Sequence, residues 1–406
     1  MCYHALGEEK PLRRLRRAKK EGLDRASVRE GVAAVRGDVL SLLDRMVSIN
    51  SHSPNEKGVA LVLETATETL PTLFALLESA DCGEDHRLWV FGRECPDQAP
   101  LLLVGHLDTV FPPGEFDGGL VEDGDFLRGP GVSDMKGGVA VMIGALWVLD
   151  RLGLLPVMSL VLALNGDEEI GSVCSGPILA RLARSVRLGL VFERGGPGGS
   201  LVTSRRGLRR YRLEVAGPGG HSGFQKGDKA SAVVELAHQI LRMESFNLPK
   251  EGVSVNVGRI AGGTGANIVP RRAEAEFEVR FWTDVSGNAA AERIMASLAA
   301  PSGPGFEHLL HRTHVRPAMP RSPLNVKLFK EAAAVARTLD LSLKEEARLG
   351  ASDANILTAA GLPVLDGLGP VGENDHSLDE RVVRESLFER IEFLVHLLWD
   401  LREWSP

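Results

Sequence analysis

Four cysteines in 406 residues, at Cys2, Cys82, Cys95 and Cys174, fall without paired spacing, so neither a disulfide framework nor a cysteine metal site is expected. A reducing, cytoplasmic setting fits that scarcity. No run reaches the roughly 20 apolar residues of a membrane span, and no apolar stretch follows the basic N-terminus to serve as a signal-peptide core. Neither a membrane partner nor secretion is therefore expected. Positive charge is short as well: 47 Lys and Arg face 54 acids, a net charge of −7, which discourages a nucleic-acid partner. Internal repeats at solenoid periods and long low-complexity tracts are missing too.

What the chain has is length. At 406 residues, with 44% hydrophobic and 25% charged residues, it has the balance of a globular protein and more chain than one ordinary core needs, which predicts two domains. The first 25 residues carry eight Lys or Arg against four acids. Such a run can touch nucleic acid or an anionic membrane; a solvated helix or frayed tail, over residues 1–26, is the simpler expectation.

From Ser27 to Val202 short apolar runs alternate with helix-like stretches, which predicts an α/β domain on a mostly parallel sheet flanked by helices. Three runs end in polar, metal-competent residues. Leu101 to Val104 leads into Gly105-His106-Leu107-Asp108, Met158 to Leu164 into Asn165-Gly166-Asp167-Glu168-Glu169, and Leu188 to Phe192 into Glu193. Ligands of open α/β sheets bind beyond the carboxyl ends of the strands, so residues following three buried strands can share one crevice. Met135 to Leu152 is helix-length and apolar, which sets Asp134 near a helix N-terminus.

Farther along, Leu208 to Val215 reads as a strand and Ala230 to Met243 as a helix, with Val233, Leu236, Ala237, Ile240 and Leu241 on one face. Val253 to Ile260 and Ala273 to Trp282 alternate as half-buried strands, Ala289 to Leu298 is a second helix, and Glu307 to Val315 a last strand. Strand, helix, strand, strand, helix, strand is the order of a ferredoxin-like α+β domain. The boundaries expected are 27–204 and 317–406 for the two parts of the first domain, with 205–316 inserted as a lid. Val326 to Thr338 and Glu385 to Leu401 would be closing helices.

His106-Leu107-Asp108-Thr109-Val110, Ser133-Asp134-Met135-Lys136-Gly137-Gly138, Asp167-Glu168-Glu169-Ile170-Gly171-Ser172, Glu193 and His376-Ser377 occur in that order. The set resembles the metallopeptidase family of glutamate carboxypeptidase, acetylornithine deacetylase, succinyl-diaminopimelate desuccinylase and aminoacylase. That resemblance spans nearly the whole chain after the basic tail and implies a zinc-peptidase-like fold with two zinc ions, for which Co2+ or Mn2+ can substitute. It also implies that His106 and Glu193 hold one metal, Glu169 and His376 the other, and that Asp134 bridges both. The chemistry agrees, since two imidazoles and three carboxylates suit zinc and no thiolate closes either site. Asp108, two residues past His106, can orient the imidazole. Glu168, left without a metal, is the expected general base toward water.

The resemblance extends to substrate groups. Gly220-His221-Ser222-Gly223 matches the family's glycine-histidine turn, although the usual alanine or serine before the histidine is Gly220 here; it implies that His221 contacts substrate across a homodimer formed through the lid. Asn267, in Asn267-Ile268-Val269-Pro270, and Arg280 match substrate-binding positions, and Gly350-Ala351-Ser352-Asp353 a glycine-rich loop lining the pocket. A guanidinium fork pairs well with a carboxylate. Apart from the resemblance, Asn267 would be a turn residue, Arg280 a strand charge and His221 a loop histidine; His238, His311 and His396 lie outside the motifs as packing or surface residues. The function implied is cleavage of an amide or peptide bond beside a free carboxylate in a small peptide. N-acyl-amino-acid deacylation is the rival enzyme, and a non-catalytic binding protein of the same fold the rival from another class.

Overall fold

The structure, a computed structural model, describes residues 22–81, 86–93, 98–116, 118–223 and 229–405. The basic tail lies outside the described residues up to residue 21, as do Cys2, Cys82 and Cys95. The chain divides into two compact units, Ser204–Pro320 with Arg348–Ala351 on one side and the remainder on the other.

The larger unit is built on a six-stranded sheet in the order Ala75–Asp81, His86–Arg93, Leu160–Asn165, Leu101–His106, Leu188–Val191, Val364–Leu365. Leu101–His106 runs parallel to both its neighbours, and Val364–Leu365 runs parallel to Leu188–Val191. The first two strands form an antiparallel edge. Every residue of Leu101–His106, Leu160–Asn165 and Leu188–Val191 is buried, which explains their unbroken apolar runs: helices cover both faces, so no residue alternates toward water. Leu188 and Leu190 join the main core, while a side chain at Gly189 would meet Leu357 of the helix Asp353–Ala359 at 3.0 Å on the other face.

Register then aligns the carboxyl ends. His106 pairs with Asn165 and Val104 with Val191, so the segments opening at Leu107, Gly166 and Phe192 leave the sheet at one edge. The helix Gly137–Arg151 lies beneath, packed against Arg25–Val47 and Arg384–Leu401. With Val132–Lys136 it forms a stretch long and apolar enough to cross a membrane, contrary to the expectation that none exists, but 89% of that window is buried inside the unit. A helix covered on all sides is apolar all round for the same reason a membrane span is.

Cys174 is disulfide-bonded, which corrects the expectation drawn from cysteine spacing. Spacing in sequence says little about which segments a fold brings within bonding reach. Scattered cysteines therefore no longer argue for a reducing compartment.

The smaller unit has the strand, helix, strand, strand, helix, strand order. Its antiparallel sheet runs Val253–Gly262, Arg272–Phe281, Gly207–Ala216, Glu307–Arg316. Strict alternation in Arg272–Phe281 buries Ala273, Ala275, Phe277, Val279 and Phe281 toward the helices Ala232–Glu244 and Asp284–Leu298. The face expected of the first helix needs correction: Leu236 is buried and Ile240 packs partly buried against the core, but Val233 is 38% and Leu241 74% exposed, and the buried residues are Ala232, Glu235, Leu236, Gln239 and Met243. Glu235 enters the core because its carboxylate accepts the Gln239 side-chain amide at 2.8 Å and the Ser302 backbone amide at 3.1 Å. Polar residues at buried positions hid the true stripe.

Alanine in place of an ordinary helical glycine stabilises by about 0.5–1 kcal/mol. At Gly138 the sign should reverse, because a Cβ there would stand 1.8 Å from the carbonyl oxygen of Phe192. Gly138→Ala is expected to lose about 1–3 kcal/mol, the range for overpacked cores, seen as a lower urea midpoint at unchanged slope. A midpoint at or above that of the parent protein would contradict this close approach.

Candidate metal centre

His106 closes its strand almost fully buried, 1% exposed. Its Nε2 lies 2.9 Å from Asp134 Oδ1 and 3.8 Å from Glu193 Oε1. The other oxygen of Asp134, Oδ2, lies 3.1 Å from His376 Nε2, which is also 3.3 Å from Glu169 Oε2. One carboxylate thus faces two imidazoles, each accompanied by a further carboxylate. His106, Asp134 and Glu169 offer ligand atoms all within 4.8 Å of one another. All five sequence-expected ligands converge.

The pKa shifts report a surplus of negative charge. Burial alone would lower His106, but Asp108 and Asp134 outweigh it and hold the imidazole well above its ordinary value. His376 is pushed up to about 11 by its bonds to Asp134 and Glu169. Burial would raise Asp134, yet the two imidazoles hold it below the usual carboxylate range. Glu169 rises to about 7, through burial and the charge of Asp134. Protons on the histidines stand where cations would serve, and the donor set, nitrogen and oxygen without sulfur, fits zinc.

Asp108 organises the loops around the centre. Fully buried, it places Oδ1 3.3 Å from His106 Nδ1 and accepts the Glu168 amide on Oδ1 at 3.2 Å. Its Oδ2 accepts the Glu169 amide at 3.1 Å and the Ser53 hydroxyl at 2.7 Å. The carboxylate that turns the imidazole therefore also fixes the backbone of the glutamate pair.

Sequence reasoning missed Glu380. Fully buried, it accepts the amides of Gly131 at 3.0 Å, Ser133 at 2.7 Å and Asp134 at 3.0 Å. These bonds hold the Asp134 loop open before the helix begins at Gly137. Burial, joined by the charge of Asp134, pushes its carboxyl up to about 8 against the pull of those amides. Its only signal is an acid four residues past His376. Ser53 carries none.

The remaining expected residues lie in the smaller unit. Gly220–His221 pairs with Ile268–Val269, which sets His221 beside the Asn267 segment; the Ser222 amide donates to the Asn267 carbonyl at 3.0 Å. His221 is exposed, and its Nδ1 accepts the Gly223 amide at 3.1 Å. Arg280 bonds through Nε to Glu278 and donates from Nη1 to the Leu349 carbonyl at 3.0 Å. Gly350 follows that carbonyl and receives Arg205 Nη1 at 3.1 Å. Within this unit His221 goes with Asn267, and Arg280 with Gly350. His238 and His311 are exposed and His396 is buried.

Residues 102–400 match the model of Peptidase family M20/M25/M40. The chain belongs to this family. Among relatives, it is 27% identical over 374 residues to carboxypeptidase G2 of a Pseudomonas species, covering 89% of each chain. It is 31% identical over 376 residues to succinyl-diaminopimelate desuccinylase of Methylobacterium radiotolerans, covering 84% of this chain and 91% of that one. Solved structures share the fold: aminopeptidase PepT from Bacillus cereus, at TM-score 0.75 and 19% identity, covers 90% of this chain and 98% of its own. An M20 family metallo-carboxypeptidase from Sulfolobus solfataricus gives 0.68 and 17%, covering 89% and 98%. As an M20 peptidase the protein is a metal-dependent hydrolase of peptide or amide bonds.

Because both imidazoles hold protons in the metal-free protein near neutral pH, metal binding must displace them. Their raised pKa values mean that proton competition persists up to pH values well above 7. We expect uptake of zinc at pH 7 to release about two to three protons, two from the imidazoles and a fraction from Glu169, and affinity to rise with pH through the 7–9 range. Calorimetry in buffers of different ionisation enthalpy reads the number. Zinc binding with no proton release would contradict the charge state described.

Proposed function

We propose that this M20 peptidase is a two-zinc hydrolase cleaving an amide or peptide bond beside a free carboxylate. The observation that carries the reading is Asp134, whose two oxygens each face one imidazole. His106 and Glu193 would hold one zinc, His376 and Glu169 the other, and Asp134 would belong to both. Bound zinc would supply Lewis acidity toward water and the scissile carbonyl.

The chain's own groups then divide the work. Asp108 keeps the His106 ring oriented. Glu168, adjacent to a ligand but outside the ligand set, takes the proton from the attacking water and delivers it to the leaving amine. Arg280 grips the substrate carboxylate; of its five N–H groups, Nε and one on Nη1 are committed to Glu278 and Leu349. Asn267 and the Gly350 loop line the substrate's path. His221 donates to the developing oxyanion in the partner subunit of a homodimer. Exposed Val233, Val234 and Leu241 on one helix of the smaller unit support an apolar docking surface there. The relatives named as a carboxypeptidase and a desuccinylase agree with a carboxylate-flanked bond, and the second keeps N-acyl-amino-acid deacylation open beside peptide cleavage.

Glu168→Gln should retain two zinc ions yet lose at least about 10²-fold in turnover. Mixed with inactive His221→Ala under subunit exchange, it should recover partial activity, since one site of the heterodimer regains both groups. Zinc loss in Glu168→Gln would make Glu168 a ligand instead, and exchange without recovery would confine His221 to its own subunit.

Substrates with a free carboxylate next to the scissile amide should be cut far faster than their C-terminal amides, and Arg280→Ala should erase most of that difference. A guanidinium fork pairs with a carboxylate far better than with a neutral amide. Comparing dipeptides, N-acyl amino acids and their amides measures the preference. Equal rates on acid and amide, or dominant release of N-terminal residues from tripeptides, would sink the assignment.

A further inference from the structure

His376 enters the centre from a tight turn between the short strands Gly372–Glu373 and Arg381–Val383. Two of its residues, Asn374 and His376, have φ of 62° and 61°, a region side chains rarely occupy and that persists only where surroundings enforce it. Asp375 lies between them. Its Oδ1 accepts the hydroxyl of Ser133 at 2.7 Å, and its Oδ2 accepts Nε–H of Arg194. Arg194 returns to the turn's base, donating from Nη1 to the Gly372 carbonyl at 3.1 Å.

Each of these three residues is the chain neighbour of an expected ligand: Ser133 of Asp134, Arg194 of Glu193, Asp375 of His376. Adjacent side chains in extended backbone leave on opposite sides, and Asp134 is extended, at φ −123° and ψ 89°. At the Ser133–Asp134 step this sends the two side chains apart, and the three ligand-bearing segments are joined to one another through the residues next door. Glu380 fixes the Asp134 loop through its amides and, among the described residues, makes no hydrogen bond to the Glu193 segment, so it does not duplicate this link.

We propose that Asp375 is a positioning residue whose carboxylate ties the His376 turn to the segments bearing Asp134 and Glu193, and thereby sets how tightly the His376-side metal is held. The proposal rests on the two-zinc reading above. The pair of Asp375 and Arg194 is about a quarter exposed, 26% and 27%, and a pair that open adds little to global stability. Its effect belongs in metal affinity, where partners behind the ligands count for about 10–100-fold.

The test uses full-length protein, with chelator-competition titration of zinc and visible spectra of the cobalt(II)-loaded form. In Asp375→Asn and Asp375→Ala one of the two zinc dissociation constants should rise about 10–100-fold, with a changed cobalt band and an unchanged melting temperature of the metal-free protein. Ser133→Ala and Arg194→Gln should each reproduce part of the loss. Unchanged constants in folded Asp375 variants would overturn the proposal, as would a metal-free melting temperature falling in step with affinity, which marks a merely structural role. A parent protein that binds only one zinc would instead overturn the two-zinc reading itself.

Discussion

Everything in the larger unit is arranged around the problem of holding Asp134 close to other carboxylates. Glu169 and Glu193 crowd the two imidazoles that Asp134 faces, and Asp108 and Glu380 sit fully buried just behind. Such a concentration of acid is unfavourable unless positive charge enters it. Two histidines meet that need in part by holding protons far above their ordinary range. The divalent cations proposed above would meet it more fully.

The fold makes this crowding possible by bringing three parallel strands to one edge in register. A register slip of one residue would turn His106 to the other face of the sheet, and the fully buried strands resist that because both faces are committed to core. Helix Gly137–Arg151 approaches so closely that Gly138 has no room for a side chain beside Phe192. That approach fixes the distance between the Asp134 loop and the start of the Glu193 segment. Backbone packing, more than side-chain choice, sets the spacing between two ligands remote in sequence.

The sequence made legible what depends on local pattern. Apolar runs ending in His106, in Glu168-Glu169 and in Glu193 announced strands with metal-competent residues at their carboxyl ends, and alternation in Arg272–Phe281 announced a half-buried strand. Bonds between remote residues were invisible. Glu380 looks like any surface acid until the fold sets it against three amides from the 131–134 loop. The helix Ala232–Glu244 misled for the complementary reason: its core face includes Glu235 and Gln239, whose mutual hydrogen bond a hydrophobic pattern cannot register, while its apolar Val233 and Leu241 face out. Cys174 is a third case, because covalent partnership follows spatial proximity and leaves no periodic trace.

Glu168 and Glu169 show how neighbours of identical chemistry can be assigned different work. Asp108 accepts both amides, so the backbone of the pair is pinned where successive side chains cannot both turn toward the same atoms. Glu169 pairs with His376 and, deep beside Asp134, has its pKa raised to about 7. A carboxylate with that affinity for a proton has, by the same token, a strong affinity for a cation. Glu168 is outside that pairing and is the residue proposed above as the base. In the proposed mechanism the division between ligand and base is set by which residue the pinned backbone delivers to His376, and the residue that enforces it is Asp108, which need touch neither water nor substrate.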